Sequence, residues 1–426
     1  MKIFFKIILI IIFSFNINEL KANSLFESLN LAYLNNTKLN AERASMRASL
    51  EDKKESISEF LPSITISGYV SEQDNTNIGV DTSFSPSEQS VIIEQKIFQG
   101  FSGVASFNKK KHGLNLAKFK LKKVEQEILL EAAKAHTMLL LNRKKVDINL
   151  LNIDLLERQV ESDQNRLEKG EISLADSAQS ESSLSGANAK LIAAQNDLVT
   201  SKANFEKVIA KKPTENIERI NKINLNIPES LATAYKISTL ENPDLQISLM
   251  EFDKAKSDLV IAASEFSPSA TLSYKIAEQE DLSATVKDRT QQTVTATASW
   301  PLFAGGKNAF NYRKHQEIKN QKELLLEERK KTTETNVANA WSSYQSSKGV
   351  LDSIRAQVKA AEIANEGITL EYESGTSRTT LEVIQSRSIL LNAKISLAGS
   401  ERNFLISQFN LLSAVGRLTA KNLNLK

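Results

Sequence analysis

The sequence contains no cysteine, which excludes disulfides, thiolate metal sites and a lipid anchor on an N-terminal cysteine. Only 6% of its 426 residues are aromatic and 41% hydrophobic, little material for large compact cores. Beyond Phe15 no apolar run approaches the roughly 20 residues that a transmembrane helix needs. Neither sign of charge dominates: 54 basic residues against 51 acidic leave a net +3. No basic block with interleaved aromatics points to nucleic acid. The three histidines, His112, His136 and His315, are scattered, and no HExxH, CxxC, phosphate loop or GxSxG occurs. An enzyme is therefore not expected, nor is any resident metal or cofactor.

Proline is missing where its absence matters. All seven prolines fall outside residues 104–212 and 302–426. Because proline costs about 3 kcal/mol inside a helix, both stretches are free to be helical. Leu121, Val124, Ile128, Ala132, Ala135 and Leu139 form one apolar stripe at helical spacing, and Ala340, Tyr344, Leu351, Ile354 and Val358 form another. The pattern predicts long helices over 104–168 and 307–373. Each would be about 100 Å long at about 1.5 Å per residue. Average helices run about 11–12 residues, so such lengths mean antiparallel coiled-coil rods. A glycine ends each rod, Gly170 and Gly375, and second helices are expected over 172–211 and 379–416. Shorter helices, 25–60 and 229–265, open each half.

The two halves are versions of one unit. Glu59-Phe60-Leu61-Pro62-Ser63 returns as Glu265-Phe266-Ser267-Pro268-Ser269, an offset of 206. Phe107-Asn108-Lys109-Lys110-Lys111-His112 returns as Phe310-Asn311-Tyr312-Arg313-Lys314-His315, an offset of 203. The expected organisation is a signal peptide over 1–22, a first repeat over 23–212, a linker over 213–227, a second repeat over 228–418 and a tail over 419–426. Lys2, Lys6, the apolar Ile7–Phe15 and Ala22 carry the signal-peptide reading.

Between the opening and long helices of each half lies a β-hairpin, expected over 62–99 and 268–303. Ile64, Ile66, Gly68 and Val70 alternate with polar residues, as do Val91, Ile93, Gln95 and Ile97. Ala270, Leu272, Tyr274 and Ile276 repeat the alternation, followed by Val294, Ala296, Ala298, Trp300 and Leu302. Period-two alternation over such lengths is the pattern of transmembrane strands. Polar loops, Ser71–Ser90 and Ala277–Gln292, would join them. Four strands cannot close a barrel, since about eight is the usual minimum, and open strand edges are not tolerated in lipid. Several chains would have to share one barrel. Trp300, beside Pro301, suits an interfacial aromatic belt. Trp341, beside Ala340 on a helix, suits packing.

These pieces, in this order, resemble the TolC family of outer-membrane efflux and secretion channels. The resemblance covers essentially the whole mature chain. It is carried by Phe98-Gln99-Gly100 and Leu302-Phe303-Ala304-Gly305-Gly306 at the strand-to-helix passages, and by the turn segments 170–176 and 372–384. Leu411–Leu418 adds to it. It implies long antiparallel coiled-coil helices forming a trimeric α-barrel tunnel, with four strands per chain contributing to a shared twelve-stranded transmembrane β-barrel. It implies an outer-membrane location in a Gram-negative bacterium, extending into the periplasm. It further implies the role of exit duct for a tripartite efflux pump or type I secretion system. The implied partners are two further copies, a periplasmic adaptor, an inner-membrane pump of RND, MFS or ABC type, and outer-membrane lipid. The alternative on the residues alone is a periplasmic or surface coiled-coil adaptor or structural protein without a channel.

The resemblance also implies a gate at the periplasmic tip. Arg378 matches the family's gate arginine, Tyr372 its tyrosine, and Asp176 the acidic partner in the first turn. Glu382 takes the first position of an inward acidic ring, which would favour cations. Gln385 takes the second, where the family's best-known member is acidic. Ser377 is an insertion before Arg378.

Overall fold

The computed structural model describes residues 24–77, 80–214, 225–283, 286–374 and 378–425. The expected signal peptide, Gly375, Ser377 and most of the linker lie outside the described residues. Each half runs helix, helix, strands, long helix, helix. The first half comprises α1 (Leu25–Asn35), α2 (Thr37–Glu55), β1 (Ser63–Val70), β2 (Gln73–Asn77), β3 (Val80–Phe84), β4 (Ser87–Gln99), α3 (Ser102–Glu168) and α4 (Leu174–Ile209). The second comprises α5 (Leu231–Glu241), α6 (Pro243–Ser264), β5 (Ser269–Ser283), β6 (Val286–Ser299), α7 (Lys307–Glu373) and α8 (Thr380–Val415).

Helices α3 and α7 have 67 residues each and start 205 apart (307 − 102), while α1 and α5 start 206 apart (231 − 25). The 203-residue match of Phe107–His112 to Phe310–His315 is thus two residues out of step with the helices that carry it. Side-chain caps start the helices. Ser24 with Glu27, Ser173 with Asp176 and Thr379 with Glu382 each form a reciprocal capping box.

Each opening helix is broken once, where one continuous helix was expected. Asn36 caps α2 by accepting from Lys38 and Leu39 N–H, and Asn242 caps α6 by accepting from Leu245 N–H. Their side-chain amides reach across the molecule: Asn36 Nδ2 donates to Val208 O at 3.2 Å and Asn242 Nδ2 to Ala414 O at 2.8 Å. These bonds sit at equivalent places in the two halves. They pin each break to the end of the half's last helix. Ala210 and Gly416, also equivalent, terminate α4 and α8 in left-handed conformations at φ 59° and 87°. A Cβ on Gly416 would lie 2.3 Å from Glu241 O, so this position also needs glycine for space.

The main core gathers at this level. Leu29, Leu39, Ile128, Leu129, Ala132, Leu139, Phe205, Ile209 and Phe409 are all buried there. A smaller cluster of Ala234, Val337, Leu411 and Val415 is packed by Trp341 and Tyr344, giving Trp341 a packing role. Beyond this level the rods are slender: Ile153, Leu156 and Ala187 seal α3 against α4, and Val358, Ala361 and Ala393 seal α7 against α8.

His136 lies in the main core, fully buried, with Nδ1 2.8 Å from Ser28 Oγ. Burial, aided by the charge of Arg143, lowers its pKa to about 4. The folded chain therefore resists protonation there while the unfolded chain accepts a proton below about pH 6.5. Stability is unaffected above pH 6.5 and falls progressively as pH drops toward 4, by about 3 kcal/mol at about 1.4 kcal/mol per pKa unit. The thermal midpoint of the purified protein should thus drop more between pH 7 and 4.5 than that of His136→Asn. Equal drops would assign acid sensitivity to other groups.

The strands form a four-stranded antiparallel sheet in the order β1-β4-β5-β6, and β2 and β3 pair separately as a hairpin arm. The expected loop Ser71–Ser90 is therefore mostly strand. The pairing register places Ile64 opposite Ile93, Ile93 opposite Tyr274, and Tyr274 opposite Val294, so these residues share one face. Ile66, Val91, Ile276, Leu272, Ala296, Ala270 and Ala298 join them. The other face is mostly polar: Ser67 meets Ser90, Glu94 meets Ser273, and Ser273 meets Thr295. On it Lys275 Nζ lies 2.5 Å from Glu88 Oε1. A bulge between Lys96 and Phe98 interrupts the alternation, setting Phe98 rather than Ile97 opposite Ala270.

Candidate functional site

The ends of the two rods come together where α3 turns into α4 and α7 turns into α8. Tyr372, on the last turn of α7, reaches across to α3. Its hydroxyl donates to Asp163 Oδ1 at 3.1 Å, accepts from Arg166 Nη1, and lies 3.1 Å from Thr380 Oγ1. The Arg166 guanidinium also stacks 5.0 Å from the Tyr372 ring centre. Burial, then the neighbouring Asp163, raises the Tyr372 pKa, so the phenol stays protonated as a donor.

Asp163 is the centre of this cluster. It is fully buried, yet accepts from Gln159 Nε2 at 3.0 Å and Ser180 Oγ at 2.5 Å besides Tyr372. A buried carboxylate left without donors is costly; here three donors satisfy it. Sequence reading passed over Asp163 and Arg166. The signal was available: Asp163 follows Leu156 by one heptad, which puts an acid into the coiled-coil seam.

Asp176, taken from the resemblance as the tyrosine's acidic partner, is not within that cluster. Its carboxylate accepts from Ser173 Oγ at 2.7 Å and Ser173 N at 3.1 Å, and these bonds lower its pKa. Nor does one chain pair Asp176 with Arg378. The arginine is held inside its own hairpin, 2.6 Å from Glu371 and 3.1 Å from Glu382, contacts that raise its pKa. Glu382 also caps α8, accepting from Thr379 N at 2.8 Å. That backbone bond, followed by Arg378, lowers its pKa. Gln385 is exposed on the next turn. A second link between rods comes from Arg387, whose Nη1 donates to Leu155 O at 3.3 Å.

The tip thus has two layers. Tyr372, Asp163 and Arg166 tie α7 to α3 with partly buried bonds. Arg378, Glu371 and Glu382 form an exposed network local to the second turn. Among the described residues there is no group of three acidic or histidine side chains arranged to hold a metal ion, and no helix is long and apolar enough to cross a membrane.

Similarity to known proteins follows the same two halves. The sequence profile of the family described as outer membrane efflux protein matches residues 28–211 and 234–417. The outer membrane efflux protein BepC of Brucella suis biovar 1 is 24% identical over 398 residues, 93% of this chain and 86% of that protein. Among solved structures, the CmeC outer membrane channel of Campylobacter jejuni superposes with a TM-score of 0.83 at 14% identity, covering 93% of this chain and 86% of that one. The open-state MtrE outer membrane channel of Neisseria gonorrhoeae gives 0.77 at 15% identity, covering 93% and 89%. With both repeats matched over most of their length, the chain belongs to the outer membrane efflux protein family and is an efflux channel component of the outer membrane.

Proposed function

We propose that three copies of this chain join their sheets into one twelve-stranded barrel and act as the passive exit duct of a tripartite efflux pump or type I secretion system. In this reading a periplasmic adaptor docks at the helical end, and an RND, MFS or ABC transporter in the inner membrane selects the cargo. One observation carries the sharing of the barrel: the sheet ends in β1 on one side and β6 on the other, and neither outer edge has a partner among the described residues. Lipid offers no hydrogen bonds to such edges. The apolar face would meet lipid and the polar face would line the lumen. The exposed Trp300, whose indole N–H donates to Phe266 O, would sit in the interfacial belt with Leu302 and Phe303. Tyr372, Arg378, Asp176, Glu382 and Gln385, now joined by Asp163 and Arg166, would form the periplasmic gate. Native mass measurement of detergent-extracted protein should give three copies. A stable folded monomer in the membrane would overturn the reading.

A further inference from the structure

The duplication makes the chain its own guide to how copies meet. Near the strands the helices stand in the row α2, α3, α6, α7, with α2 packed on α3, α3 on α6 and α6 on α7. The row alternates equivalent helices, α2 with α6 and α3 with α7. Its two ends, α2 and α7, are therefore related as α6 and α3 are in the middle. If copies continue the row, the α7 face of one chain meets the α2 face of the next in the manner of α3 on α6.

The α3–α6 contact is held by two ion pairs. Lys109 Nζ lies 2.6 Å from Asp258 Oδ1, and Lys123 Nζ lies 2.7 Å from Asp244 Oδ1. Moving from α3 to α7 adds 205, and moving from α6 to α2 subtracts 206. Lys109 and Asp258 become Lys314 and Asp52, again opposite in sign. Lys123 and Asp244 become Glu328 and Lys38, opposite in sign with the roles exchanged. Lys314 and Glu328 are 14 residues apart, as are Asp52 and Lys38 in the reverse direction, so one antiparallel register satisfies both.

Positions beside the first of these pairs agree. Ala105, Asn108, Lys256 and Ser257 line a groove of about 230 Å³ between α3 and α6. Their counterparts are Phe310, Arg313, Leu50 and Glu51. Phe310 is 67% exposed and Leu50 37% exposed in the single chain, an apolar pair with no cover. Arg313 and Glu51 make a third pair of opposite sign. Among the described residues Lys314 and Arg313 have no acidic partner within the chain. Asp52 and Lys38 have partners of opposite charge within the chain, Lys110 at 3.2 Å and Glu127 at 2.8 Å, but both side chains stay more than half exposed and can bridge to a second partner.

We infer that α7 docks on α2 of the next copy through Lys314 with Asp52, Arg313 with Glu51, and Glu328 with Lys38, with the apolar Phe310 and Leu50 flanking the first two pairs. The inference rests on the proposed sharing of one barrel by three copies and specifies where the copies touch. Exchanging the signs of the Glu328–Lys38 pair relative to the Lys123–Asp244 pair makes the two kinds of junction chemically distinct. A chain can then fold on itself without mistaking a neighbour's helix for its own.

The absence of cysteine allows a clean test. One variant carries Lys314→Cys with Asp52→Cys, a second Glu328→Cys with Lys38→Cys. Each is treated in detergent with a short bismaleimide and run on a denaturing gel. Both should give a ladder ending in a covalent species of three chains, whereas the single-cysteine variants should give none. A control pair, Lys322→Cys with Asp52→Cys, should also give none, because Lys322 is turned to its own chain's Glu251 at 2.8 Å. If native mass still shows three copies while neither test pair cross-links, or the control cross-links as well as they do, the docking is overturned and the shared barrel stands. A single-copy mass would overturn both.

Discussion

Leu272→Arg is expected to prevent assembly of the channel, and Ser273→Arg to leave it intact. Leu272 lies on the apolar face of β5, opposite Gln95 on β4 and Ala296 on β6. That face is apolar from Ala270 to Ile276 and becomes charged at Glu278 and Glu280, so Leu272 falls within the apolar band. An arginine on the lipid face costs about 2–4 kcal/mol near the bilayer midplane. Three copies in one barrel would bear that cost three times. The neighbouring Ser273 points to the polar face, opposite Glu94, where an arginine finds water and a carboxylate. The check is the fraction of three-copy species extracted from outer membranes for each variant. Should Ser273→Arg fail while Leu272→Arg assembles, the lipid and lumen faces are the reverse of those proposed.

The features that were legible in the sequence are those with a period. The apolar stripes on α3 and α7, free of proline, make two long helices the only economical reading. The alternation around Ile64, Ile93, Leu272 and Val294 identifies a common face before any register is known. What was not legible depends on contacts between distant segments. Asn242 precedes Pro243, which hints at a helix start, but Asn36 looks like any polar helix residue. Its cap of α2 and its bond to Val208 O make it a break. The β2–β3 arm escaped for a different reason. Gln73-Asp74-Asn75-Thr76-Asn77 lacks the apolar alternation of a half-buried strand, so its composition reads as loop. At the tip, the turn residues could be read from the glycines and caps nearby. The partner of Tyr372 could not, because it lies 209 residues away on another helix.

That partner changes which substitution should open the channel. Tyr372→Phe is expected to raise single-channel conductance in planar bilayers well above that of Arg378→Ser. Arg378 binds Glu371 and Glu382 within its own turn; Arg378 and Glu371 are exposed and Glu382 is half-exposed. Such pairs contribute about 0–1 kcal/mol each, and breaking them frees neither rod from the other. The Tyr372 hydroxyl instead joins α7 to a fully buried carboxylate on α3. Removing it deprives Asp163 of one of three donors and Arg166 of an acceptor. Hydrogen bonds to charged groups are worth about 1.5–3 kcal/mol, so three copies would lose on the order of 5 kcal/mol of closing energy. At about 1.4 kcal/mol per tenfold change in a population, that is enough to move a closed tip toward open. Phenylalanine keeps the ring under Arg166, so the rods should keep their thermal midpoint to within a few degrees. If Arg378→Ser opens the channel as far as Tyr372→Phe does, closure rests in the exposed turn and the link from α7 to α3 is only structural.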